Sequence, residues 1–265
     1  PYLVIVRINA TIIPGLIPVV QTGDIMFPEY NAKLETVFVM WNNELETIKR
    51  YYSGSYTPIG YILFDSVIGA FDKFIDKYYQ LKVTNTGAVR HLAKMKLNSL
   101  SGKFGSSDEF QNKFIEKTEN GNYRVMQSTT SNDLICPQLS SYICSCGRVV
   151  LMNAIEANAN RFLYCDTDSI YLMGSDDPAT LTIDPKQLGA WKHDKTDITF
   201  RGITNKRYAY EDDKGDHFIV SGAVIREKQE VTISSFHSGV KLDDAVKETI
   251  PCPGGAYYRY HSFEL

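Results

Sequence analysis

Apolar and polar positions along this chain change period several times, and each change marks an element. Leu3, Val4, Ile5, Val6 and Ile8 form a strand-like run, and Asn9, Pro14, Gly15 and Pro18 break the apolar stretch that follows. Phe38 to Trp41 predicts a second strand. Asn42 and Asn43 then offer caps to a helix whose Leu45, Ile48 and Tyr51 recur at helical spacing. The Ser, Gly and Pro content of Ser53 to Gly60 predicts a turn before a strand at Tyr61 to Phe64. Phe71, Phe74, Ile75 and Tyr78 follow the i, i+3, i+4, i+7 pattern of a helix. Asn85, Thr86 and Gly87 separate it from a second helix with an apolar stripe of Val89, Ala93, Leu97, Leu100 and Phe104. Arg90, Lys94, Asn98 and Gly102 recur every four residues on its other side.

The second half returns to strands. The polar segment from Ser106 to Asn132 predicts a hairpin about Asn120, Gly121 and Asn122, and a helix runs through Arg148 and Met152 to Ala159. Tyr208 to Tyr210 and His217 to Ile219 alternate around the turn Asp213, Lys214 and Gly215. From Ser221 onward a short basic-acidic helix, a strand at Val231 to Phe236 and a last strand after Pro253, Gly254 and Gly255 are expected. The fold class is α+β with antiparallel strands.

Composition adds limits. Of 265 residues, 43% are hydrophobic and 22% charged, so the chain can bury a core, and disorder is not the default. No apolar run approaches the ~20 residues that span a bilayer, so no membrane partner is expected. No secretory leader is read at the start, where Arg7 interrupts the first apolar run. Five cysteines without a CxxC pair argue against zinc ribbons and disulfide frameworks and fit a reducing compartment, the cytoplasm. The net charge of −3 hides an asymmetry: Phe71 to Gly105 carries seven Lys and Arg against two Asp, leaving 21 basic and 29 acidic residues elsewhere. Such a stretch suits a phosphate-handling surface, and equally a solvated helix face.

The densest chemistry lies at Tyr164, Cys165, Asp166, Thr167, Asp168 and Ser169. Apolar arms at Phe162 to Tyr164 and Ile170 to Leu172 flank the polar centre, which predicts a hairpin with its carboxylates at the apex. Residues two apart on extended chain project to one side, so Asp166 and Asp168 address one site. Paired carboxylates repel unless a cation or proton separates them. Magnesium suits the pair, since it takes a few carboxylates and fills its remaining positions with water and substrate phosphates. The competing reading is a turn that happens to hold two aspartates.

These residues resemble the YxDTDS signature of family B DNA polymerases. Upstream, Lys94, Asn98, Ser99 and Gly102 resemble its KxxxNSxYG element, and downstream Lys206 and Tyr208 resemble its KxY element, in the family's order. Similarity to the protein-primed, bacteriophage-type branch continues through Phe74 to Lys77, Asp184 to Gly189 and Pro253 to Gly255. The resemblance implies a partial right-hand fold with an antiparallel palm sheet, helical fingers and a small β-rich thumb. Its divisions would be an insertion associated with a terminal protein at 1–66, fingers at 67–105, a second insertion at 106–135, palm at 136–220 and thumb at 221–265.

The implied activity is template-directed nucleotidyl transfer on primer–template DNA from deoxynucleoside triphosphates, with two magnesium ions and a terminal priming protein as partner. Asp166 and Asp168 would be the catalytic, metal-binding carboxylates. Lys82, Lys94, Asn98 and Ser99 would bind the nucleotide, with Arg90 one helical turn from Lys94. Gly102, Thr167, Lys206, Tyr208 and Arg148 would contact primer or template, Lys206 and Tyr208 from one side of a strand; for Arg148 a structural salt bridge is the open alternative. Two departures stand out. Position 101 is Ser where the family has an aromatic that packs beneath the nascent pair, and the DxxSLYP element, expected before Pro1 and carrying an aspartate to both metals, is not found; Asp24 lacks its context. The isolated chain is therefore expected not to polymerise. A non-catalytic DNA- or protein-binding module and an RNA-primed polymerase are the rival readings.

Overall fold

The computed structural model describes residues 1–21, 33–107, 109–131, 135–196, 199–225, 231–252 and 255–265. They form two compact units, one of Pro1–Asn160 with Ala179–Ala190 and one of Arg161–Pro178 with Trp191–Leu265.

In the first unit, β1 (Tyr2–Ile12) lies between β2 (Lys33–Trp41) and β3 (Tyr52–Leu63) in an antiparallel sheet, and α1 (Asn42–Tyr51) connects β2 to β3. Val4, Val6, Ile8, Ala10 and Ile12 are buried while Arg7, Asn9 and Thr11 are exposed, the period-two signature of a strand with one face in a core. That face packs with Leu34, Leu45, Ile48, Tyr51 and Tyr52, and with Met152 of α4 (Pro137–Ala157). Proline opens α4, where its missing N–H costs no helical bond. Tyr51 is fully buried and donates its hydroxyl to the Met152 carbonyl, fixing α1 to α4.

Two expectations here are corrected. Ser53 to Gly60 is not a turn but the body of β3, at the edge of the sheet. Pro58 is tolerated because β3 is an edge strand and its register against β1 shifts beside Val6. Asn42 and Asn43 do not cap α1, which starts after Trp41 with no side-chain cap. Instead Asn42 Oδ1 accepts the Tyr2 amide, and Asn43 Oδ1 accepts the Ser145 hydroxyl at 2.9 Å. The same unit holds the helices α2 (Asp72–Thr84) and α3 (Gly87–Phe104). Its antiparallel pair β4 (Glu109–Lys117) and β5 (Tyr123–Ser131) turns through Gly121 at φ +77°, the hairpin expected there.

In the second unit, β6 (Phe162–Asp166) pairs with β7 (Ser169–Leu172). A second sheet runs β10-β9-β8, formed by β8 (Thr199–Thr204), β9 (Arg207–Asp212) and β10 (Gly215–Val220). The ribbon β11 (Lys241–Cys252) and β12 (Gly255–Glu264) completes the unit. Ala209, Phe236, Leu242, Ala245 and Leu265 form its core. Val231 to Phe236 is not the expected strand. The Ser235 hydroxyl accepts the Thr232 amide and donates to the Thr232 carbonyl, so local side-chain bonds fold this segment into a turn. The expected helix residues 226–230, Asp24, and Pro253 and Gly254 lie outside the described residues. Every described strand pairing is antiparallel, the α+β class expected. Among the described residues no helix is long and apolar enough to cross a membrane.

Candidate functional site

The carboxylate hairpin belongs to the second unit. Tyr164 pairs with Tyr171, Cys165 with Ile170 and Asp166 with Ser169, leaving Thr167 and Asp168 as a two-residue loop. Thr167 occupies the left-handed region at φ +52°, a conformation of order 1–3 kcal/mol above its usual one that surrounding bonds must hold. Those bonds converge on Asp166: its carbonyl accepts the Asp168 amide at 2.6 Å and the Ser169 hydroxyl at 3.1 Å, and its Oδ1 accepts the Thr167 hydroxyl at 3.0 Å. At the hairpin's base, Arg161 donates to the carbonyls of Met173, Gly174, Asp176 and Asp177. The expected hairpin forms, with both aspartates at its apex.

Lys206 is not on a strand beside Tyr208. Gly202 pairs with Tyr208 and Thr204 with Arg207, so Asn205 and Lys206 form the tight turn between β8 and β9, with Lys206 at φ +55°. From that turn the Lys206 ammonium reaches Asp166 Oδ1 at 2.8 Å and Oδ2 at 2.7 Å. The Lys206 amide donates to the Tyr164 hydroxyl at 3.0 Å, and Tyr164 in turn donates to Asn205 Oδ1 at 3.4 Å. The rings of Tyr164, Tyr171, Phe200 and Tyr208 lie 5.0 to 6.0 Å apart, centroid to centroid, and the Tyr171 and Tyr208 hydroxyls are 3.4 Å apart. Phe200 and Tyr171 were not singled out in the sequence; Phe200 comes from β8, a strand the polar residues around it conceal.

The electrostatics separate the two carboxylates. Hydrogen bonding to Lys206 holds the Asp166 carboxyl below the usual aspartate range, and the same bond raises the Lys206 ammonium. Burial pushes up the Tyr164 phenol and the Cys165 thiol. Among the described residues, no hydrogen bond or ion pair engages the exposed Asp168 carboxylate. No group of three or more His, Cys, Asp or Glu side chains close enough to hold a metal occurs among the described residues. Two carboxylates at a solvent-facing apex lack the donors of a closed structural site, but they fit a hard cation completed by water and phosphate oxygens. The Lys206 ammonium already occupies a cation's position against Asp166.

The remaining candidates lie in the first unit. On α3 the Lys94, Asn98 and Ser99 side chains are exposed, with Ser99 donating to the Lys96 carbonyl at 3.1 Å. Arg90 donates to the Lys82 carbonyl at 3.0 Å, which brings two of the expected cations together where α2 meets α3; the Lys82 ammonium lies 5.2 Å over the Tyr79 ring. A side chain at Gly102 would meet open space, so the fold itself places no demand for glycine there. Arg148, on α4, pairs through Nε with the buried carboxylate of Glu44. The salt-bridge alternative is thus realised, while the guanidinium stays about half exposed.

Residues 8–185 match the family described as DNA polymerase type B, organellar and viral. The chain is 31% identical over 270 residues to the DNA polymerase of Bacillus phage phi29, covering 91% of this chain and 47% of that protein. It is 33% identical over 205 residues to the DNA polymerase of Bacillus phage PZA, covering 73% and 36%. Its fold matches phi29 DNA polymerase complexed with primer-template DNA and incoming nucleotide substrates, at a TM-score of 0.81 and 27% identity over 99% of this chain and 50% of that one. The chain therefore spans half or less of the length of these proteins. By the family match over 8–185, the chain belongs to the organellar and viral type B DNA polymerases.

Proposed function

We propose that this chain carries the nucleotide-binding, primer-gripping and part of the metal-binding apparatus of a DNA-directed DNA polymerase that begins synthesis on a terminal protein. The observation that carries the proposal is the apex at Asp166, Thr167 and Asp168, with Lys206 drawn onto it from 40 residues away. Primer-template DNA and incoming nucleotide substrates are the partners named with the solved phi29 complex, and we carry both over to this chain, the nucleotides as deoxynucleoside triphosphates.

Asp168, whose carboxylate has no described partner, is the metal ligand ready for use. Asp166 serves as a second ligand only when Lys206 is drawn away, and otherwise anchors that lysine. Magnesium, when bound here, supplies Lewis-acid stabilisation of charge on the transferring phosphoryl group. Lys94, with Arg90 and Lys82 beside the start of its helix, neutralises the triphosphate tail; Asn98 and Ser99 contact the sugar or base of the nascent pair. Lys206 and Tyr208 hold the primer end, and Thr167, Gly102 and the free edge of Arg148 take part in primer–template contact. We assign residues 1–66 and 106–135 to terminal-protein-type insertions, 67–105 to fingers, 136–220 to palm and 221–265 to thumb. Cys136, Cys144, Cys146 and Cys165 are free thiols, in keeping with work in the cytoplasm of a bacterial host.

Among the described residues the apex offers only two carboxylates, one of them paired with Lys206, too few for two magnesium ions. The purified chain is expected to bind primer–template with a steep salt dependence and to incorporate no nucleotide. Supplying a DxxSLYP element in cis restores primer extension, and Asp168→Asn then abolishes it. Extension that survives Asp168→Asn overturns the assignment. Binding without extension in every form establishes the alternative, a non-catalytic DNA-binding module, to which Ser101 in place of the family's aromatic points.

A further inference from the structure

Tyr164 has no assigned role in the chemistry above, yet it touches the one turn that matters to it. Its ring lies among Tyr171, Phe200 and Tyr208, with centroids at 5.9, 6.0 and 5.0 Å. Its hydroxyl leaves that apolar box to accept the Lys206 amide at 3.0 Å and to donate toward Asn205 Oδ1 at 3.4 Å. Lys206 needs such help. A lysine at φ +55° holds a conformation that L side chains rarely adopt, and the turn has few other ties: its carbonyl accepts the Ser221 amide at 2.9 Å, and its ammonium ends on Asp166. Tyr164 and Asp166 are themselves two apart on β6, so one strand holds both ends of Lys206, the phenol at its backbone and the carboxylate at its tip.

We propose that Tyr164 is a positioning residue: its phenol fixes the left-handed turn at Asn205 and Lys206, and thereby aims the Lys206 ammonium at the carboxylate apex. The inference rests on the reading of Lys206 as a primer-gripping group. Without the hydroxyl, the turn relaxes toward ordinary backbone conformations and the ammonium leaves Asp166. The apex then carries two uncompensated carboxylates, which repel the phosphates of an approaching primer. The hydroxyl acts through Lys206, so its removal has no effect where that lysine's amine is already gone.

The test compares the wild-type chain, Tyr164→Phe, Lys206→Ala and the double variant, with a 20-base-pair primer–template duplex as probe. Tyr164→Phe keeps the ring in its box, and circular dichroism checks that each variant is folded. Loss of one neutral hydrogen bond predicts duplex binding weaker by about 2- to 12-fold. In the Lys206→Ala background the same change is expected to alter binding by less than a factor of about 1.5. Equal losses in the two backgrounds, or none in the first, would overturn the proposal. A second readout needs no DNA: exchange of the Lys206 amide hydrogen, followed by NMR, accelerates in Tyr164→Phe while the β11–β12 ribbon keeps its protection. An unchanged Lys206 exchange rate overturns the proposal even if binding falls. If the wild-type chain binds no duplex, the polymerase reading fails by itself, and amide exchange still decides what Tyr164 does.

Discussion

Replacing Gly54 by alanine should destabilise the first unit sharply, because nothing near this residue can move aside. Gly54 lies opposite Ala10 in the β1–β3 pairing. A Cβ built there sits 2.2 Å from the Asn9 carbonyl oxygen, 2.5 Å from Ala10 Cα and 2.7 Å from Ala10 Cβ. All three atoms belong to the backbone or are fixed to it, so no rotamer change relieves the clash. Carbon contacts are comfortable at about 3.5–4.0 Å, so the two strands must separate by roughly an ångström. That separation breaks ladder bonds and tilts the buried row of Ile8, Ala10 and Ile12 out of register with its core. Overpacking of this kind costs about 1–3 kcal/mol. At about 2–4 °C per kcal/mol for a unit of this size, the melting temperature should fall by about 2–12 °C. Gly60→Ala, in the same strand, is the control. Its Cβ meets only Ile5 Cδ1, at 3.6 Å, an ordinary contact. Thermal denaturation followed by circular dichroism measures both. A Gly54→Ala protein that melts within about 1 °C of wild type, or a Gly60→Ala protein that loses as much, would refute the account of why glycine stands in this edge strand.

Two further outcomes follow from named side chains. Asn158 is 1% exposed and joins the end of α4 to Ala179 in both directions, Nδ2 donating at 3.2 Å and Oδ1 accepting at 2.9 Å, while Nδ2 also reaches the Ala154 carbonyl at 2.9 Å. Asn158→Ala should cost about 1–3 kcal/mol and expose the chain around 179–190 to limited proteolysis; an unchanged cleavage pattern would count against that tie. The two units should also fail at opposite ends of the pH scale. Asp166, Asp194 and Asp212, all in the second unit, have carboxyls held low, chiefly by bonds to Lys206, to Lys192 and to the Lys214 amide respectively. Their contribution is whole above the unfolded aspartate value of about 3.9 and is lost as pH falls through the lower folded values. In the first unit, burial pushes the Tyr56 phenol up to about 12 and raises Tyr52 as well, so their contribution is whole below about 10 and disappears as pH rises toward 12. NMR signals from β9 should therefore weaken first in acid, and those from β3 first in alkali; the reverse order would contradict these assignments.

The elements read correctly from sequence are those whose signal is local. Along β1 the apolar run Leu3, Val4, Ile5, Val6 and Ile8 marks the strand by itself, and Val4, Val6 and Ile8 of it line the buried face. The hairpin β6–β7 announces itself because a short polar apex interrupts two apolar arms. Strand β3 is different. Its Ser53, Gly54, Ser55 and Pro58 have the chemistry of a turn, and they become a strand only because β1 lies alongside, about fifty residues away in sequence. There non-local pairing outweighs local preference. Val231 to Phe236 fails in the other direction. Apolar residues suggest a strand, but its hydroxyls bond the backbone locally before any partner strand can.

The same dependence on distant pairing governs the site. The lysine–tyrosine pair at Lys206 and Tyr208 was legible, but its geometry was not, because that geometry depends on β8. Thr199, Arg201 and Gly202 mask the strand pattern around Phe200 and Ile203, so the sequence gives no reason to end a strand at Thr204. Without that strand, Lys206 reads as a residue on β9, pointing with Tyr208. With it, only Asn205 and Lys206 remain to reverse the chain, the lysine is forced into the left-handed region, and its side chain leaves the sheet for Asp166. One unrecognised strand thus changes two carboxylates from equivalent to unequal. Asp166 is paired with Lys206 from within the protein, whereas the Asp168 carboxylate has no hydrogen-bond or ion-pair partner among the described residues. A carboxylate pair carrying its own ammonium presents one net negative charge instead of two, and the repulsion between its members is correspondingly smaller.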